Sequence, residues 1–114
     1  MSFDLAVWEG ERPASDADAL REYERRMDAL ESGETEPPTP AIAAFVAALL
    51  ERWPDLDDDE ASPWAGSPLI ADASGSTFYT GMAWSRADEA GAFVAATARA
   101  HGLVCFDPQS ERLV

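Results

Sequence analysis

Thr77-Phe-Tyr-Thr-Gly-Met-Ala-Trp84, followed at once by Ser85-Arg-Ala-Asp88, is the stretch that decides the fold. Phe78, Thr80, Met82 and Trp84 fall on one side of a period-2 pattern and Tyr79, Gly81 and Ala83 on the other, which predicts a strand over 77–84. Ser85 with Asp88 reads as a capping box, and Ala90, Phe93, Val94, Thr97, Ala98 and His101 then recur at helical spacing over 86–101. The small residues of that face let the helix lie close on a sheet. Gly102 stops it. Leu103-Val-Cys-Phe106 reads as the next strand, ended by Asp107-Pro108. Upstream, a short strand over 68–73 and a Ser74-Gly75 turn make a hairpin with 77–84.

Toward the N-terminus, Phe3, Leu5 and Val7 alternate with Asp4, Ala6 and Trp8, predicting a strand over 3–8. Ser15 with Asp18 caps a helix over 16–31, whose Leu20, Tyr23, Met27 and Leu30 share one face. A polar, proline-rich connector over 34–38 follows. Thr39 and Pro40 open a helix over 40–53 in which Ile42, Phe45, Val46, Leu49, Leu50 and Trp53 form the cleanest apolar stripe of the chain. The order is βα(α)ββαβ, the ferredoxin-like order with an extra helix in the first crossover. The expectation is an α+β two-layer sandwich, with a four-stranded antiparallel sheet and three helices on one face. Its core should include Leu5, Leu20, Phe45, Leu49, Trp53, Met82, Val94 and Leu103. At 114 residues the chain has the length of one domain, 1–114.

The charge is strongly negative and unevenly spread. Net charge is −14, and residues 1–60 carry 17 of the 22 acids against five of the eight arginines. That leaves −12 in the first 60 residues and −2 in the rest. Such a field repels nucleic acid and anionic membrane and favours a basic protein partner. No apolar run approaches the roughly 20 residues of a membrane span. Met1 leads into Phe3-Asp4-Leu5 without a basic region and apolar stretch, so a cytoplasmic location is expected. Cys105 is the single cysteine, which fits a reducing compartment.

Several constellations that could carry chemistry fall short. Asp55, Asp57 and Asp59 have the alternate spacing that opens an EF-hand loop, but Glu60 stands where a glycine is needed and Gly66 where a bidentate Glu is needed. His101 and Cys105 are the sole candidates for a thiol–imidazole pair, and Gly102 separates them. A catalytic pair of carboxylates has no specific signature among 22 acids. The chain contains no lysine, which excludes a P-loop and Schiff-base chemistry. No cofactor, metal or catalytic residue is therefore expected. Of the four tryptophans, Trp53 and Trp84 are placed in the core, whereas Trp8 and Trp64 are open to exposure. Asp107 and Gln109 read chiefly as a strand terminator, with a recognition edge as the alternative.

Ser2-Phe-Asp-Leu-Ala-Val-Trp8, Ser62-Pro-Trp64 and Gly102-Leu-Val-Cys-Phe-Asp-Pro-Gln109 span the chain from end to end. In these blocks it resembles a family of small uncharacterised acidic bacterial proteins, with the pattern S-[YF]-D-L-x-V-W, S-P-W and G-L-x-x-[YF]-D-P-Q. The resemblance implies a shared fold and no established activity. By size and charge the chain also resembles the immunity proteins that neutralise bacterial polymorphic toxins. The leading expectation is a non-catalytic protein-binding module, an immunity-type inhibitor of a basic toxin domain. The alternatives are an enzyme using His101, Cys105 and nearby carboxylates, or a DNA-mimic inhibitor. The expected docking site is Asp55, Asp57, Asp58, Asp59 and Glu60, with Trp64 as its apolar anchor.

Overall fold

The computed structural model describes residues 2–33 and 35–114. The elements are β1 (Ser2–Trp8), α1 (Asp16–Glu31), α2 (Pro40–Arg52), a 3-10 turn (Leu69–Asp72), β2 (Ala73–Ser74), β3 (Thr77–Ala83), a second 3-10 turn (Trp84–Arg86), α3 (Ala87–Ala100), β4 (Val104–Asp107) and β5 (Arg112–Leu113). This is an α+β fold with a single five-stranded antiparallel sheet in the order β2-β3-β1-β4-β5. Among the described residues, no helix is long and apolar enough to cross a membrane.

Two departures from the expected architecture have clear causes. The sheet has a fifth strand, β5, because the chain reverses after Pro108 and pairs Leu113 with Phe106. The helices also lie on both faces of the sheet. In β1, Leu5, Ala6, Val7 and Trp8 are all buried, so both of its faces need cover. Leu5 and Val7 join Phe78, Met82 and Cys105 under α2 and α3, through Ile42, Phe45, Leu49 and Val94. Ala6 and Trp8 join Val104 and Phe106 on the opposite face, under Ala19, Leu20 and Tyr23 of α1. The expected two-layer, ferredoxin-like sandwich with three helices on one face is thereby replaced by a helix–sheet–helix arrangement.

Local signals fare unevenly. Ser15 caps α1 by accepting from the Asp18 N–H at 3.1 Å, and Thr39 caps α2 by accepting from Ile42. Ser85 is not a cap: it lies inside the second 3-10 turn, and α3 begins without a side-chain cap. Of the expected strand over 68–73 only Ala73 is strand; Leu69–Asp72 form a 3-10 turn, at whose start the Asp55 carboxylate accepts from the Leu69 N–H at 2.6 Å. The hairpin turn sits at Gly75-Ser76, with Ser74 paired to Thr77 and Gly75 at a φ of +56°, where glycine is at no disadvantage.

Arg26 fastens α1 to the sheet. Its guanidinium donates to the Thr77 hydroxyl (2.7 Å), to the Ser76 hydroxyl (3.0 Å) and carbonyl, and to the Glu9 carbonyl. It also lies 5.4 Å from the Trp8 ring centroid. Glu22 accepts from both Arg25 and Arg26, and these bonds, that from Arg25 first, hold its carboxyl below the usual range.

Trp84 departs from its expected place in the core, Trp53 packs at the core's edge, and the two tryptophans left open to exposure are buried. Trp8 is buried, Trp64 is 1 % exposed, Trp53 is half-buried and Trp84 is 57 % exposed. Trp64 packs edge-on to Trp53, and its indole N–H donates to the Trp53 carbonyl at 2.9 Å. Trp64→Ala should therefore cost about 3–5 kcal/mol, and Trp84→Ala less than about 1 kcal/mol. Denaturant midpoints of the two variants check this; equal losses would contradict the placement of both rings.

Candidate functional site

The acidic segment after α2 is a tight turn. The Asp55 carbonyl accepts from the Asp58 and Asp59 N–H groups at 2.9 and 3.0 Å. Two of its carboxylates are committed locally: Asp55 to Leu69, and Asp59 to the Ala61 N–H at 2.9 Å. Asp57, Asp58 and Glu60 point their charge at solvent. Among the described residues, no cluster of three or more acids, histidines or cysteines converges as a metal site. Trp64 does not belong to this surface. Burial of its ring against Trp53 corrects its expected role as an exposed anchor.

An exposed aromatic does stand near the acidic turn, but it is Trp84. The Ala83 N–H donates to the Pro63 carbonyl at 2.7 Å, and the Arg86 guanidinium donates to the Ala61 carbonyl. Trp84 lies between these two attachment points, with its ring edge-on to Phe3 at 6.1 Å. No period-2 reading could place it there. The strand stops at Ala83, and the turn that follows carries Trp84 out of phase with Phe78 and Met82.

His101 and Cys105 do not form a pair. His101 is exposed at the end of α3, packed edge-on to Phe45, whereas Cys105 faces the core under α3. Burial, reinforced by the Asp107 charge, pushes the Cys105 thiol up to about 12. At neutral pH the sulfur is a protonated hydrophobe and a poor nucleophile. Cys105 in the native protein should resist iodoacetamide at neutral pH and become reactive only in denaturant, read by mass spectrometry. Fast native alkylation would contradict its burial.

Asp72 is a carboxylate set apart by burial. Desolvation holds it above its ordinary range, opposed by the hydrogen bond donated by the Thr80 hydroxyl at 2.8 Å. The folded state thus keeps this proton longer than the unfolded chain does. Its contribution to stability falls as pH rises through the ordinary carboxylate range toward the folded value. Asp72→Asn retains an acceptor for Thr80 and removes the charge. The variant should be the more stable protein at neutral pH and lose that advantage in acid, as read by denaturation midpoints across pH. A constant difference at every pH would contradict this.

Asp107 and Gln109 close the sheet. The β1–β4 register pairs Ala6 with Phe106, so Asp4 falls opposite Pro108, which has no N–H. The Gln109 carboxamide fills the gap, accepting from the Asp4 N–H and donating to the Asp4 carbonyl, both at 2.7 Å. Asp107 holds the turn by accepting from the Gln109 N–H at 2.9 Å and from the Ser110 hydroxyl at 2.9 Å. The Asp4 carboxylate in turn accepts from Ser2 and from the Tyr79 hydroxyl at 2.7 and 2.8 Å. These residues serve the backbone. Burial, and next Asp4, raise the Tyr79 phenol above its usual range, so it stays a neutral donor.

Comparison with known proteins gives no match to a family model, to a curated protein or to a solved structure.

Proposed function

We propose that this chain is a non-catalytic, cytoplasmic binding module for a basic protein, of the immunity type that neutralises a toxin domain. The observation that carries the reading is how little of the acidic charge is neutralised internally. Among the described residues, the ion pairs join Arg21 to Asp18, Arg25 and Arg26 to Glu22, and Arg86 to Glu89. Four arginines thus serve three acids. Asp57, Asp58 and Glu60 are exposed and make no ion pair among the described residues. A field left open in this way accelerates encounter with a cationic surface and suppresses anionic competitors. The inert placement of Cys105 supports binding over thiol chemistry.

Co-expression with a basic toxin domain encoded beside this chain tests the reading. Growth should be restored, and protection should survive His101→Ala and Cys105→Ala. Association should slow on the order of tenfold between low and high salt. Loss of protection in both variants, with both still folded, would overturn the non-catalytic reading.

A further inference from the structure

The sheet face that carries α1 is only partly covered. α1 packs over β1, β4 and β5, leaving Tyr79 of β3 beside its flank. Beside this flank lies a groove of about 520 Å³, lined by Tyr23, Met27 and Leu30 of α1 and by Tyr79. Tyr23 and Tyr79 pack together as an aromatic pair within this lining, their ring centroids 6.3 Å apart. The remaining lining residues are Glu24, Asp28 and Glu31. Among the described residues, no arginine lines this groove.

The two kinds of lining residue form parallel stripes. Tyr23, Met27 and Leu30 recur at i, i+4 and i+7, and Glu24, Asp28 and Glu31 do so one residue on. The other flank of α1 behaves differently: there Asp18 and Glu22 are paired with arginines. Glu24, Asp28 and Glu31 make no ion pair among the described residues. Asp28 and Glu31 also lie in the last turn of α1, which has no basic residue, where the helix dipole disfavours negative charge. Neighbouring like charges add to the disadvantage. A local rule is broken along one flank of one helix, beside a groove with apolar lining, with no compensating ion pair among the described residues.

We propose that this groove is the docking site for a cationic amphipathic helix of a partner protein. Its apolar side would seat on Tyr23, Met27, Leu30 and Tyr79, with arginines or lysines at helical spacing along the acidic stripe. A second copy of this chain, at −14, is repelled from such a surface. Anionic lipid is repelled for the same reason. The inference rests on the basic-partner reading and adds a division of labour to it: the turn at Asp57 to Glu60 steers, and the groove supplies residence time.

The test uses the full ¹⁵N-labelled chain and a synthetic helical peptide with leucines on one face and arginines on its flanks. Amide shift changes should centre on Tyr23, Met27, Leu30 and Tyr79. The triple variant Glu24→Gln, Asp28→Asn, Glu31→Gln should weaken the peptide by about tenfold or more. It should also raise the thermal midpoint, since the charges it removes oppose the helix. The triple Asp57→Asn, Asp58→Asn, Asp59→Asn, and Trp84→Ala alone, should each change affinity by no more than about threefold. Shift changes centred on the acidic turn and Trp84 would overturn the groove and leave the basic-partner reading standing. No salt-sensitive binding anywhere on the chain would overturn both. A lowered thermal midpoint in the first triple would overturn the groove by giving its acids a folding role.

Discussion

The rest of the structure depends on a strand that has no solvent face. Four consecutive residues of β1, from Leu5 to Trp8, are buried, and their side chains alternate between the two sides of the sheet. Both sides therefore need a layer of helix, and the chain supplies them unequally. α2 and α3 build the larger core, and α1 alone covers the smaller one. A single helix over a five-stranded sheet cannot cover it all, which leaves the flank beside Tyr79 open. Arg26, 11 % exposed, makes the thin layer secure by joining α1 to the hairpin turn and to Trp8. The same constraint puts β1 in the middle of the sheet, with β3 and β4 on either side.

Charge on this protein is organised by what the arginines already do. Arg26 is consumed by the helix–sheet contact, and Arg52 lies over the Trp53 and Phe93 rings. Arg86 spans from Glu89 to the Ala61 carbonyl. Three of the eight cations thus have structural employment, and most of the acids are left to face water. The negative surface follows from the excess of acids, 22 against eight arginines, and that allocation adds to it.

Much of the fold is legible in the sequence wherever periodicity runs long. α1 and α2 are bounded correctly to within a residue, and Ser15 and Thr39 cap them as their positions predict. Of the expected core, Leu5, Phe45, Leu49, Met82, Val94 and Leu103 are buried, with Leu20 and Trp53 packed at its edge. What escapes is everything decided by a partner distant in sequence. Trp64 is buried in the main core against Trp53, eleven residues away, whose carbonyl takes its N–H. β5 is two residues long and carries no period of its own. The side of the sheet chosen by α1 was legible in principle, in the unbroken apolar run Leu5-Ala-Val-Trp8, but alternation at Phe3, Leu5 and Val7 is the louder signal. The acidic turn is found as a segment, whereas its aromatic neighbour is misassigned, because Trp84 follows the strand pattern one residue too far.

A side chain that imitates a peptide unit has a chemistry that a peptide unit lacks. The Gln109 carboxamide completes the edge of β1 with one donor and one acceptor, set opposite the acceptor and donor of Asp4. Deamidation would turn that nitrogen into an oxygen, placing a carboxylate against the Asp4 carbonyl and close to Asp107. The complementarity would invert at one atom, with no change in volume. Deamidation at Gln109 would thus act as a loosening of the sheet at the turn that joins β4 to β5.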